Sequence, residues 1–492
     1  MDHACHSTYT LVYFQKTIIL DAVQRPMISL ESSAMMQPKL HTHFTQLENF
    51  GHSLKASSYQ IRIEKTEDIS EAFQLAKKLG LKVTARGTGI SYNDVSLNGG
   101  GILLDMSGMN QILGWDSVSG IIRCEAGVTI RQLWRCVEPE GWWPPVVSGT
   151  MRTTLGGCLS TNIHGKNNFR VGTIGEHVLE FTAMLPTGEL ITCSPKENSD
   201  LFHAMIGGLG MLGILTSITL HVKRIHSGLL SVDAWHVPNL SQHLRAICEN
   251  APRYDYIVGW LDTLARGRKL GRGQIHAARQ LKEGEDPHPQ KTMQLEYQHL
   301  PDRLFGVMPK SYLHYFMSPF MNNLGIWGIN TARYVTSLRK HTFRESHAEF
   351  HFLLDFVPNW ERSFGRGGLI QYQSFLPKET AEDAWREMIS ISHQRGLPSY
   401  LGVTKRHRPD KFLITHTVDG FSLALDFKVT EKNRRMLSKM LQDFDRIVLK
   451  AGGRLYFAKN SETSSEVARA FLGEETIARF KQLKKRCDPD GL

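Results

Sequence analysis

The sequence has no Cys-x-x-Cys, and its seven cysteines, Cys5, Cys124, Cys136, Cys158, Cys193, Cys248 and Cys487, are scattered and odd in number. That argues against a disulfide framework and a cysteine zinc site, and for a reducing, cytoplasmic compartment. No run of about 18 apolar residues occurs, so no membrane-spanning helix is expected. A cleavable leader is not expected either. Gln15 and Lys16 split the apolar residues 11–14 and 18–20, and no small-residue cleavage site follows. Residues 1–45 read as a poorly ordered N-terminal tail, or in part as an overlong start ahead of Met27 or Met35. The chain also lacks an array of interleaved aromatic and basic residues. Its basic cluster Arg266-Gly-Arg-Lys-Leu-Gly-Arg-Gly reads as a solvated loop, and no nucleic acid partner is expected. His347 and His351 stand four apart, as two ligands on one helix face would, but no third ligand is evident. No metal is expected.

What remains is a chain of 492 residues with 41% hydrophobic and 22% charged content, a soluble globular protein of two or three domains. Its net charge of +10 suits an anionic ligand or an acidic membrane surface without choosing between them.

The chain is organised around residues 148–168, Ser-Gly-Thr-Met-Arg-Thr-Thr-Leu-Gly-Gly-Cys-Leu-Ser-Thr-Asn-Ile-His-Gly-Lys-Asn-Asn. Glycines let a backbone approach a ligand closely, and exposed amides in such loops make anion sites. The first half therefore suits phosphates, and His164, Lys166 and Asn167 suit polar chemistry beside them. A second glycine loop, Arg86-Gly-Thr-Gly-Ile-Ser-Tyr-Asn-Asp, follows the short strand Leu81-Lys-Val-Thr-Ala and a helix from Thr66, read as its N-cap, to Gly80. Further strands are expected at 99–106, 120–127 and 214–222, and a short helix at 128–137. Gly208-x-Gly210-x-x-Gly213 matches a dinucleotide fingerprint in letters only. Asn198-Ser-Asp-Leu-Phe-His-Ala-Met-Ile reads as a capped helix before the glycines and a strand follows them, the reverse of the order that fingerprint needs.

From about 227 the texture changes to longer strands at 254–260, 368–375 and 421–427, with helices at 379–394 and 431–451 between them. Residues 281–310 read as a mobile loop. Strand and loop return at 452–461, followed by a helical run through Lys485.

Five phrases form a set: Arg86-Gly-x-Gly-x-Ser-Tyr-x-Asp, Gly156-Gly-x-Leu-x-x-x-Ile-His-Gly-Lys-Asn, Gly271-Arg-Gly, Gln371-Tyr-Gln and Gly452-Gly-Arg-Leu-Tyr-x-Ala-Lys. Together they resemble the FAD-linked oxidases of the vanillyl-alcohol-oxidase type. The resemblance runs from about residue 46 to the C-terminus, and within that group it leans toward members that oxidise a polyprenyl-phosphoryl pentose. It implies an α+β chain with a PCMH-type FAD-binding domain in two parts, 46–226 and 454–492. Between them, 227–453 would be a substrate domain built on an antiparallel sheet with flanking helices. Arg86, Gly87, Thr88, Gly89, Ile90 and Ser91 would cradle FAD from the first loop. Gly149, Thr150, Thr154, Gly156, Gly157, Ser160, Thr161, Ile163, Gly165 and Asn167 would do so from the second stretch, joined by Ile214 and Tyr456. Related enzymes often tether flavin through a histidine in the first loop, where this chain has Ile90, so FAD is expected to be non-covalent.

By the same resemblance His164 and Lys459 flank the reacting carbon, and either would serve as base. Tyr92, Lys166, Gln371, Gln373, Lys405 and Ser422 would line the substrate site. Ser422 and Ala424 stand where the matched enzymes carry an asparagine and a cysteine, which puts the exact sugar in question. The implied activity is oxidation of a secondary hydroxyl of a sugar or polyol, lipid-phosphate-linked, with an aldonolactone or alditol oxidase as the alternative. An NAD(P)-dependent reductase completing an epimerisation and a peripheral contact at the inner face of the membrane are the implied partners.

Overall fold

The computed structural model describes residues 42–304 and 307–492. Cys5, Met27, Met35 and the rest of the expected tail up to residue 41 lie outside the described residues. Residues 42–45, expected in that tail, already belong to the strand Thr42–Glu48, which pairs antiparallel with Lys55–Arg62.

Three sheets carry the chain. In the first, Lys55–Arg62 and Val83–Arg86 flank Ile102–Asp105 in parallel, and the helix Thr66–Leu79 makes the crossover between them. That helix buries Ile69, Ala72, Phe73 and Ala76, spaced as one helical face requires. Its cap falls one residue earlier than expected, at Lys65, where the Asp68 carboxylate accepts from the amides of Glu64 and Lys65. Gly80 closes the helix at φ 63°. The second sheet is antiparallel, in the order Ile112–Asp116, Ile121–Glu125, Ile214–His221, Val178–Met184, Leu190–Cys193. The helix before the glycines, Ser199–Met205, and the strand after them, Ile214–His221, stand in the expected order. Asn198 does not cap that helix. It sits at φ 48° and its side chain donates to Thr192 O.

The third sheet has eight antiparallel strands. Their order is His341–Ser346, Leu229–Val237, Gly273–Gln280, Tyr256–Leu261, Leu401–His407, Gly420–Lys428, Leu369–Pro377, Arg454–Leu455. Helices Leu240–Asn250, Ala381–Gln394 and Arg434–Lys450 cover one face. The two-residue period of a strand sorts its side chains. Tyr372, Ser374 and Thr404 turn to the helices, bonding Asp445, Trp385 and His243. Gln371, Gln373, Lys405 and Ser422 therefore share the opposite face.

Within the segment expected to be a mobile loop, residues 286–298 are tied to the chain around residue 228 by hydrogen bonds. Asp286 accepts from Ser227 and Thr292, and Gln298 donates to Gly228 O and Thr292 O. Buried polar groups that find such partners hold a segment in place. The expected strand at 452–461 is only Arg454–Leu455, and the helical run after it is two helices, Ser465–Leu472 and Glu474–Cys487. The last helix returns to the first half of the chain, where Lys484 Nζ donates to Met211 O and Arg486 pairs with Asp200 at 2.8 Å.

Candidate active site

A cavity of about 1130 Å³ lies between the two glycine stretches and the uncovered face of the eight-stranded sheet. A pocket for one small ligand is roughly 300–1,000 Å³, so this one has room for a cofactor and a substrate together.

The first loop leaves the end of the strand Val83–Arg86. The amides of Gly87, Thr88, Gly89, Ile90 and Ser91 donate to no acceptor among the described residues. Unpaired amides in sequence are what a pyrophosphate requires. Arg86 opens this loop, and its side chain points away from the cavity. Its guanidinium turns back to Glu48 O at 2.9 Å and to Ser96 O at 3.1 Å, fixing the loop from behind. A Cβ on Gly87 would stand 2.1 Å from Thr154 Oγ1, so the two glycine stretches touch there.

The second stretch contains the short helix Leu155–Ser160, which the glycine content hides from sequence reading. The amides of Leu155 and Gly156 are taken by Val128 O and Ala126 O. Gly157 lies on the cavity wall, and a Cβ there would meet only Thr154 Oγ1, at 3.2 Å. Asp355 holds the start of the stretch, accepting from Thr150 Oγ1 and the Met151 amide at 2.7 Å each. Gly149, Ser160, Thr161, Ile163, Ile214 and Tyr456 also line the cavity. Gly165 and Asn167 do not. Asn167 is buried with its amide nitrogen on Pro145 O, and Gly165 is packed against the Asn167 side chain. A cradle of free amides, with a glycine on the cavity wall whose Cβ position meets only Thr154 Oγ1, fits FAD.

The other half of the cavity gathers His164, Lys166, Lys405, Lys459, Tyr92, Gln371, Gln373 and Ser422. Lys459 Nζ stands 3.8 Å over the centre of the Tyr92 ring. The backbone explains the meeting of such distant residues. Tyr92 N donates to Ala458 O, and Asn460 clamps Gln373 through both its amide and its carbonyl. Burial pushes the Lys459 amine down to about 7, against the pull of Asp426. His164 is held well below its ordinary pKa by burial and by Lys405, His407, His416 and Lys459 around it, so the ring is neutral. Its Nε2 lies 3.1 Å from Gln373 Nε2, and its Nδ1 has no hydrogen-bond partner among the described residues. Lys405 is lowered by burial to about 8. Lys166 Nζ bonds Phe350 O and lies 4.1 Å over the Phe350 ring. Its backbone carbonyl accepts from Ile257 N, which ties the stretch to the eight-stranded sheet.

Asp426 and His407 were missed by sequence reading. Asp426 accepts from Gln371 at 2.6 Å and is raised by burial to about 6. His407 Nε2 bonds Ser422 Oγ at 2.8 Å. Both follow by the strand period from residues already singled out, Asp426 two periods after Ser422 and His407 one period after Lys405. His351 stacks on Trp143 and His347 lies tilted against the same ring, both buried. Among the described residues no group of three His, Cys, Asp or Glu is placed to hold a metal ion.

Residues 58–194 match the model of an FAD binding domain. The chain is 30% identical over 425 residues to the decaprenylphosphoryl-beta-D-ribose oxidase of Mycolicibacterium smegmatis, covering 85% of this chain and 88% of that one. It is 30% identical over 159 residues to a putative D-arabinono-1,4-lactone oxidase of Neurospora crassa, 32% of this chain and 28% of the relative. It is also 32% identical over 198 residues to a D-lactate dehydrogenase of Anaerostipes hadrus, 38% of this chain and 42% of the relative. A match along nearly the full length of one such enzyme, with the α+β architecture described above, places the chain in the family of FAD-linked oxidoreductases with a PCMH-type FAD-binding domain, enzymes that act on CH–OH groups.

Proposed function

We propose that the protein oxidises a secondary hydroxyl of a lipid-phosphate-linked sugar, a polyprenyl-phosphoryl pentose, with FAD held non-covalently. One observation carries the substrate reading. A single cavity joins the glycine loops, the polar sheet face with its lysines, and an apolar mouth lined by Met317, Met321, Ile326, Ile329 and Leu353. Cofactor, sugar phosphate and lipid would each meet a matching surface. On this reading 46–226 and 454–492 form the FAD domain and 227–453 the substrate domain.

FAD, when bound, supplies the hydride acceptor. The chain's own part is the proton and the pose. Lys459, with an amine near neutrality, takes the hydroxyl proton on Nζ as the C–H bond breaks and the carbonyl forms. His164, neutral, offers a ring nitrogen to orient that oxygen. Gln371 and Gln373 present amides to the ring hydroxyls, Gln371 being fixed by Asp426. Lys405, lowered by burial to about 8, supplies positive charge for the phosphate, and Lys166, which burial lowers to about 7, takes up a proton as the phosphate approaches.

Anaerobic mixing with polyprenyl-phosphoryl ribose and, separately, with free alditols tests the substrate. Flavin bleaching by the lipid-linked sugar is expected, and bleaching by alditols alone would replace this reading with a free-polyol oxidase.

Non-covalent attachment rests on Ile90, which stands in the first glycine loop where related enzymes carry a tethering histidine. Ile90 packs against the apolar cluster that includes Phe50 and Tyr92. Cys158, which lines the cavity, has its thiol pushed up to about 12 by burial and is held as an inert thiol. Acid precipitation should give a yellow supernatant and a colourless pellet. A pellet that stays fluorescent on a denaturing gel would show a covalent bond.

A further inference from the structure

Between Asp302 and Glu345 the sequence contains no acidic residue, while Arg303, Lys310, Arg333, Arg339, Lys340 and Arg344 all lie there. Part of this segment folds into the helices Leu313–Met317 and Asn323–Thr336, joined through the turn Ser318–Phe320. The longer helix buries only Ile326 and Asn330. Leu324 is 77% exposed and Trp327 54%. Tyr315, Phe316 and Phe320 on the preceding turns stand out to a similar degree. A surface helix normally hides its apolar stripe against the core. Here the stripe faces outward over two helices, and contiguous exposed apolar surface of that kind marks an interaction site.

Charge, composition and position choose the occupant. Arg339 is exposed at the end of the longer helix, and beside it is Lys340, whose amine lies 3.1 Å from Asp233. Lys340 is thus partly offset by Asp233, and the exposed Arg339 is the rim cation that complements anionic headgroups. Aromatic and leucine side chains on one surface with long basic residues at its edge are what an interfacial helix uses. Met317, Ile326 and Ile329 of the same helices, with Met321 between them, line the cavity. We propose that this helical face docks on the headgroup region of an anionic bilayer, with Phe316, Phe320, Leu324 and Trp327 entering the acyl boundary, so that the cavity opens at the lipid surface. The inference goes beyond the oxidation chemistry and rests on that reading only for why a mouth should face lipid.

Co-sedimentation of the full flavin-loaded chain with phosphatidylcholine vesicles, with or without phosphatidylglycerol, tests it. The wild type should pellet with the anionic vesicles and much less with the neutral ones. Leu324→Glu and Trp327→Glu should each weaken partitioning roughly tenfold or more, the loss of one large buried side chain. Flavin content and melting temperature should stay unchanged, since neither side chain is in the core. Arg339→Glu should reduce the preference for anionic vesicles. Trp327→Phe should keep binding and remove most of the blue shift in emission on vesicle addition. A wild type that ignores vesicles, or glutamate variants that bind as it does, would overturn the proposal. So would a lipid-free dimer that Trp327→Glu dissociates, combined with no vesicle binding. No substrate is present, so failure here leaves the oxidation reading standing, and absent flavin bleaching leaves the vesicle result standing.

Discussion

Gly157→Asp gives a folded protein without flavin. Gly157 lies in the short helix Leu155–Ser160, where an L-residue is sterically allowed, and an added Cβ meets nothing closer than Thr154 Oγ1 at 3.2 Å. Folding should therefore change little. The added carboxylate, however, enters the cavity beside the amides of residues 87–91. If the pyrophosphate lies there, a negative charge about 4 Å away costs about 4 kcal/mol at an effective dielectric of 20. That is about a 10³-fold loss in affinity, enough to strip FAD during purification. Gly157→Ala is the control and should stay yellow. Gly87→Ala should behave differently, losing stability as well as flavin, because its Cβ would collide with Thr154 Oγ1 at 2.1 Å. The absorbance ratio of flavin to protein, read beside a thermal melt, separates the three. A flavin-replete Gly157→Asp would move the pyrophosphate elsewhere.

The glycine loops were legible because composition alone says that a backbone there is meant to be approached. What composition does not give is where a side chain turns. Arg86 belongs to the loop expected to cradle FAD through backbone amides, and composition does not show that its guanidinium braces the loop on the carbonyls of Glu48 and Ser96. Asn167 sits beside His164 and Lys166 in sequence but bonds Pro145 O away from the cavity. Strand period would have found Asp426 and His407, had it been applied to the strands that carry Ser422 and Lys405. The helices around 313–336 gave no signal, because their apolar residues do not follow a core-facing stripe. That failure has a physical source, since the surface they build faces outward.

Lys459→Ala and His164→Ala should each slow anaerobic flavin reduction at saturating substrate while leaving the oxidised spectrum intact. General acid–base groups contribute roughly 10²–10⁴-fold. The geometry separates the two residues within that range. Lys459 has an amine pushed down to about 7 and lies over the Tyr92 ring; if it is the proton acceptor, its loss should fall at the upper end. His164 is kept neutral far below its ordinary range and lies against Gln373, so its loss should fall at the lower end. The pH dependence carries a sign. A lysine accepts a proton only when neutral, so the wild-type limiting rate should fall as pH drops through about 7, and the Lys459→Ala rate should not follow that curve. Lys166→Ala should show a third pattern. Lys166 is anchored on Phe350 at the cavity wall. If it holds the phosphate, its loss raises the substrate concentration needed and spares the limiting rate. Stopped-flow bleaching across substrate concentration and pH reads all three. Wild-type limiting rates in both the Lys459 and His164 variants would remove the catalytic assignment and leave the FAD assignment intact.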